Sequence, residues 1–174
     1  MSTCTATVRA ARRPDLAAVA GIYRHYVLHS LATFDETPRS SAEWEAKLDE
    51  LTSRGLPFLV AEEAGRIVGF AYAGPWRPKP AYRHTVEDTV YLDPGATGRG
   101  IGGALLGRLM DACARAGVRR VIAVVADAGG EASVALHRRF GFTDAGRLSA
   151  VGYKHGRWID TVLLERALAD APSD

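Results

Sequence analysis

Three groups of residues near the middle of the chain have types and spacings suited to chemistry. Glu87 stands in the run HTVEDTVYL, where Val86, Val90 and Leu92 alternate with Thr85, Glu87, Thr89 and Tyr91. A period of two marks a half-buried strand, so Glu87 lies on the face opposite the valines. A carboxylate there is placed to take a proton from an ammonium group, directly or through water, most usefully if burial raises its pKa. The plainer reading is a glutamate that faces solvent or pairs with Arg83. Just upstream, GPWRPKPAYR gathers Arg77, Lys79, Tyr82 and Arg83 among three prolines. Cations on a proline-stiffened loop suit an anionic or strongly polar group on a small substrate, although solubilising charge would look much the same. Just downstream, Gly98, Gly100, Gly102 and Gly103 crowd the entry to an amphipathic helix. A helix N-terminus without obstructing side chains offers free N–H groups and partial positive charge, an anion site best suited to a pyrophosphate.

The elements that must position these groups follow from periodicity. Thr5 to Ala10 reads as a first strand, and Pro14 with Asp15 opens a helix carrying Leu16, Val19, Tyr23, Tyr26 and Val27. LATFDETPRS is a loop, and Ser40 with Glu43 forms a capping box for a second helix bearing Trp44, Leu48 and Leu51. Phe58–Ala61 and Ile67–Ala73 form a hairpin turning at Ala64-Gly65. Prolines keep Gly74 to Arg83 out of a sheet interior. The helix after the glycines carries Ile101, Leu105, Leu109, Ala112 and Ala116 and stops at Gly117. Val121 to Ala126 is an apolar run fit for a strand covered on both faces. A helix from Glu131 to Phe140 follows, closed by Gly141. Two strands end the pattern, one up to Tyr153 and one from Trp158 to Leu164, turning at His155-Gly156. The order implies one α/β domain, a mixed sheet with helices on both faces.

Composition narrows the function classes. The formal charge is +2, and each sign divides evenly between the halves of the chain. With no basic stripe or acidic tail, nucleic acid and anionic membranes are not expected partners. The two cysteines, Cys4 near the terminus and Cys113 inside a helix, suggest a reducing compartment. No apolar run reaches the ~18 residues of a membrane span, so the expected location is the cytoplasm. No metal cluster is visible.

GRGIGG admits two readings. Gly98, Gly100 and Gly103 match a dinucleotide-binding G-x-G-x-x-G, with Asp127 as the ribose acid. Against it, Asp93 to Thr97 separate strand from glycines, and too little chain follows for two mononucleotide-binding halves. The other reading is a turn of the form [Q/R]-x-x-G-x-[G/A], with Gly100 and Gly102 as its glycines. On this turn, on SVALHRRFGF, and on TFDETP, GPWRPKPAYRHTVEDTVYL and GYKHGRWID in order, the chain resembles the GCN5-related N-acetyltransferases (GNAT). Within them it is most similar to the phosphinothricin and methionine sulfoximine acetyltransferase branch. The resemblance spans about residues 6 to 168.

That resemblance implies the GNAT fold, with central strands splayed around acetyl-CoA, and direct transfer in a ternary complex to the α-amine of a small polar amino acid. It implies Glu87 as general base. His137 stands where many relatives carry a tyrosine that protonates the departing thiolate; packing is the competing role for a lone helical histidine. The cofactor would be held by Val90, Tyr91 and Leu92, by Gly98, Arg99, Gly100, Ile101, Gly102 and Gly103, and by Ser133, with the Leu92 N–H polarising the carbonyl. Phe34, Arg77, Lys79, Tyr82, Glu87, Asp88 and Thr89 would line the amino acid site. Lys154, His155 and Trp158 would shape the pocket and a homodimer contact without a catalytic role. Two positions depart from the pattern: Thr97 replaces the usual Gln or Arg, and Gly130 a frequent Asn. Arg99 is expected to compensate at the pyrophosphate. These departures leave open a non-catalytic acyl-CoA sensor of the same fold.

Overall fold

The computed structural model describes residues 6–168, so Cys4 and the predicted strand start at Thr5 lie outside the described residues. Strand β1 (Thr7–Ala10) leads through a 3-10 turn at Arg13–Asp15 into α1 (Leu16–His29), and α2 (Ser41–Ser53) follows the loop. The capping box forms: Ser40 Oγ accepts from the Glu43 N–H at 3.2 Å, and Glu43 Oε2 accepts from the Ser40 N–H at 2.7 Å. Strands β2 (Phe58–Glu63) and β3 (Arg66–Pro75) meet at Ala64-Gly65, with φ of 48° and 76°. Two left-handed residues make the hairpin turn whose twist matches its strands.

Strand β3 runs beyond the predicted Ala73, through Gly74 and Pro75. The Trp76 N–H donates to the Thr85 carbonyl at 3.3 Å, and Pro75 stands opposite Val86 of β4 (Thr85–Leu92). Hydrogen-bonded and non-bonded pairs alternate in an antiparallel ladder, so Pro75 occupies a pair that needs no N–H from it. Helix α3 (Ile101–Arg115), β5 (Arg120–Ala126) and α4 (Glu131–Arg139) follow. Strands β6 (Thr143–Lys154) and β7 (Arg157–Ala167) form a terminal hairpin longer than predicted. Within it Ser149, Ala150 and Val151 bulge opposite Asp160, whose Oδ1 accepts the Ala150 N–H at 2.7 Å.

The sheet order is β1-β2-β3-β4-β5-β7-β6, and of its pairs β4–β5 is parallel while the others are antiparallel. Helices α1 and α2 bury Val19, Tyr23, Trp44 and Leu51 against Phe58, Val60, Phe70 and Tyr72 on one face. Helix α3 buries Leu105, Leu106, Leu109 and Met110 against Ala71, Ala73, Val86 and Val121 on the other. This is the predicted mixed sheet with helices on both faces, and it excludes the parallel, doubly wound dinucleotide fold. No helix among the described residues is long and apolar enough to cross a membrane.

Candidate active site

Parallel pairing of β4 with β5 covers Thr85↔Arg120, Val86↔Val121 and Glu87↔Ile122. Beyond Glu87 the two strands part. On its other side β4 stays bonded to β3: Trp76 donates to Thr85 at one end, and the Asp93 N–H donates to the Val68 carbonyl at 2.9 Å at the other. Alternation then turns the backbone groups of Glu87, Thr89 and Tyr91 toward β3, and those of Asp88, Val90 and Leu92 into the cleft where β5 has left. The Leu92 carbonyl in that cleft accepts from the Tyr26 hydroxyl at 2.6 Å. Among the described residues, the Leu92 N–H meets no strand partner, because the β4–β5 pairing ends at Glu87. Backbone groups set this way suit an extended amide-bearing chain laid between the strands like an added strand.

At the far end of the cleft the glycine turn meets α3. Gly98 and Gly100 adopt φ of 72° and 80°, the left-handed region that a Cβ disfavours, and Gly100 caps the helix. Gly102 and Gly103 differ. A Cβ on Gly103 would meet the Phe140 ring at 3.5 Å, and one on Gly102 would meet Leu136 at 3.4 Å; both are ordinary van der Waals contacts, so neither position demands a glycine. Gly107, one turn on, is tighter still, 3.0 Å from Phe140. Ile101 is buried beneath the turn. Arg99 is ion-paired with Glu63 of β2, and the Thr97 hydroxyl donates to the Pro94 carbonyl at 3.2 Å. A turn of this form offers an anion its backbone N–H groups.

Glu87 sits half-buried at the point where the strands part, on the face shared with Thr89 and Tyr91. Burial raises its pKa above the ordinary glutamate range, the neighbouring Asp88 charge raises it further, and Arg77 pulls the other way. Arg83 donates to the Pro80 carbonyl at 3.3 Å, which accounts for its guanidinium without Glu87. Arg77 lies over the Trp76 ring at 4.7 Å from its centroid, on the exposed loop that also carries Lys79 and Tyr82. Phe34, 39% exposed, stands in the α1–α2 loop.

Asp88 requires a correction. It was expected at the substrate, but alternation places it on the valine face, 8% exposed, with its Oδ2 at 2.7 Å from His137 Nε2. His137, equally buried on α4, has its Nδ1 at 2.7 Å from the Ser133 carbonyl and 3.4 Å from Ser133 Oγ. A carbonyl only accepts, so Nδ1 carries a proton, and the second proton lies between Nε2 and Asp88. Burial alone lowers the His137 pKa, but the hydrogen bond and charge of Asp88, with the Ser133 carbonyl, raise it overall. With both nitrogens held, the ring links α4 to β4 and is not a free proton donor facing the cleft. The signal was legible: a carboxylate in phase with Val86 and Val90 faces the core and needs a buried partner.

Gly130 opens α4, and a Cβ there would lie 2.3 Å from the Ala126 carbonyl oxygen. The departure from Asn thus accompanies an approach of α4 to β5 too close for any side chain. A cavity of about 270 Å³ lies beside it, lined by Asp127, Glu131, Val134 and Arg138. A larger one, about 570 Å³, lies between α1 and the β2–β3 turn, and none of the predicted site residues lines it. Among the described residues, no cluster of His, Cys, Asp or Glu could hold a metal. Cys113 is buried and its thiol pKa is pushed up to about 12 by burial and by Asp88, the opposite of an activated nucleophile.

Comparison with known proteins agrees with this geometry. The family model described as "Acetyltransferase (GNAT) family" matches residues 20–142. A phosphinothricin N-acetyltransferase of Alcaligenes faecalis is 46% identical over 168 residues, covering 97% of this chain and 85% of that protein. An L-methionine sulfoximine/L-methionine sulfone acetyltransferase of Salmonella typhimurium is 36% identical over 93% of this chain and 94% of its own. The crystal structure of a GNAT superfamily phosphinothricin acetyltransferase from Sinorhizobium meliloti, in complex with acetyl-CoA, superposes with a TM-score of 0.91. It is 45% identical and covers 97% of this chain and 91% of that one. With the parted strands, the glycine-capped helix and the half-buried glutamate already in place, the chain belongs to the GNAT family and is an acetyl-CoA-dependent N-acetyltransferase.

Proposed function

We propose that the enzyme acetylates the α-amine of a small polar amino acid of the phosphinothricin or methionine sulfoximine type, with Glu87 as general base. The observation that carries this reading is the half-buried Glu87 carboxylate at the mouth of the cleft, its pKa raised by burial. A base poised above the ordinary glutamate range is better matched to an ammonium proton near neutral pH. Acetyl-CoA, when bound, supplies an activated thioester. The N–H groups around Gly98, Gly100, Ile101 and Gly102 would hold its pyrophosphate, with Arg99 at the rim. The cleft-facing backbone of Val90 and Leu92 would hold its pantetheine, with Tyr91 fixing their orientation through β3. The Leu92 N–H is placed to stabilise charge on a carbonyl oxygen. Thr89 and Phe34 flank the amine side, and Arg77, Lys79 and Tyr82 supply cationic and aromatic contacts for the substrate's anionic groups. His137 and Ser133 act by fixing α4.

The test is acetyl-CoA-dependent thiol release with methionine sulfoximine and with phosphinothricin, on wild type and Glu87→Gln. Turnover that collapses in the variant while acetyl-CoA still binds supports both reaction and base. Turnover unaffected by the substitution removes Glu87 from its role. The proposal includes a homodimer formed through the β6–β7 hairpin.

A further inference from the structure

Lys154 is 2% exposed near the end of β6, among the largest fully buried side chains of the protein. Its Nζ donates to the Thr33 carbonyl at 2.8 Å, a contact across 121 residues of sequence. Two residues earlier on the same strand, Gly152 lies under the Phe34 ring. A Cβ at 152 would stand 2.3 Å from Phe34 Cε2. Strand β6 therefore touches the α1–α2 loop twice, holding one carbonyl and seating one ring.

The other side of the loop is fastened to the catalytic strand. The Tyr91 hydroxyl donates to the Ala32 carbonyl at 2.9 Å. From α1, the Tyr23 hydroxyl donates to Asp35 Oδ2 at 2.7 Å and lies 2.7 Å from Thr33 Oγ1. A loop is ordinarily the most mobile part of a fold. This one is strapped at Ala32, Thr33 and Asp35 from β4, β6 and α1, with Phe34 between the last two. A buried ammonium is costly unless it is hydrogen-bonded, and an apolar side chain of like length would fill the same space more cheaply. Packing alone does not account for a lysine there.

We propose that β6 is the specificity-determining element of the amine site: Lys154 and Gly152 position Phe34 and so fix which small amino acid side chains the site accepts. The proposal rests on the acceptor class given above. Lys154 is a positioning residue that acts through the loop.

Lys154→Met keeps length and removes the donor. Its expected effect is a KM for the amino acid raised about tenfold, the size of one charge-assisted hydrogen bond. The acetyl-CoA KM and saturating kcat should stay within about twofold, and the preference between methionine sulfoximine and phosphinothricin should change. Gly152→Ala should raise the same KM by pushing on the ring. Adding Phe34→Leu should abolish that effect, because the methyl then meets a smaller neighbour. Hydrogen exchange provides a readout independent of turnover: amides of the 31–36 loop should exchange roughly tenfold faster in Lys154→Met, with β4 and α1 unchanged. Unchanged loop exchange, a parallel rise in the acetyl-CoA KM, or additive effects of Gly152→Ala and Phe34→Leu would each overturn the proposal. If wild type turned over neither amino acid, the acceptor reading would fail, and loop exchange would still decide whether β6 positions the loop.

Discussion

In the proposed mechanism Glu87 is the one side chain that takes a proton, and its surroundings set the pH at which it would do so. A carboxylate acts as a base only when ionised. Burial and the Asp88 charge raise its pKa, so the acid limb of kcat/KM is expected to lie above the ordinary glutamate range, with activity rising as pH rises through it. Measuring kcat/KM from pH 5 to 9 checks the sign, and an acid limb at or below the usual carboxylate range would contradict it. Glu87→Gln should reduce kcat by roughly 10²–10⁴ and abolish this limb while leaving acetyl-CoA affinity close to wild type. Asp88→Asn removes a neighbouring negative charge, so the limb should move to lower pH. These two variants separate a carboxylate that reacts from one that tunes its neighbour.

Helix α4 closes one side of the cleft, and three devices hold it: the Asp88–His137 pair, the Gly107–Phe140 contact and the absence of a side chain at Gly130. Removing one partner of a buried ion pair leaves an uncompensated group, so Asp88→Asn is expected to destabilise the protein by about 3 kcal/mol, roughly 6–12 °C in Tm. The pair also makes stability depend on pH. His137 has a raised folded-state pKa, so its contribution is fully present below the unfolded value near ~6.5 and is lost as pH rises through the folded value. Thermal melts from pH 5.5 to 9 should show wild type losing more of its margin on alkalinisation than His137→Gln. An equal decline in both would mean that the ring gives no pH-linked stability. Gly130→Asn, which restores the residue frequent in relatives, should lower Tm, because its Cβ meets the Ala126 carbonyl. Periodicity made the helices, the hairpin turn at Ala64-Gly65 and the capping box at Ser40 legible in the sequence, since each follows from neighbours within a few residues. The glycine cluster was legible as a helix entry, yet only the backbone angles separate Gly98 and Gly100, which are left-handed, from Gly102 and Gly103, where a Cβ would make ordinary contact. The Asp88–His137 and Lys154–Thr33 contacts join residues 49 and 121 apart, and nothing local announces which partner a buried charge will find.

At the scale of the whole molecule, the sheet is unevenly covered. Helices α1 and α2 protect the β2–β3–β4 side of one face, whereas β6 at the far edge is exposed along most of its length. Leu148, Val151, Tyr153 and Trp158 are 45%, 52%, 55% and 67% exposed, with the Tyr153 and Trp158 rings 5.0 Å apart. A long exposed edge strand invites pairing, and natural proteins blunt such edges or cover them. Here the three-residue bulge bends the strand and Arg147 bridges Asp127 and Asp160 at its base, which fixes the edge without hiding its apolar side chains. A clustered apolar patch of this kind marks a contact surface, and a second copy is the occupant the family resemblance favours. Because β6 also touches the α1–α2 loop through Lys154 and Gly152, the proposed dimer contact and the proposed amine site would share one strand. Trp158→Asp is therefore expected to yield a monomer by sedimentation velocity and, through a loosened β6, a raised amino acid KM with acetyl-CoA binding intact. A variant that stays dimeric would move the interface elsewhere. A monomer with an unchanged KM would keep the interface and show that β6 holds the loop without help from the partner subunit.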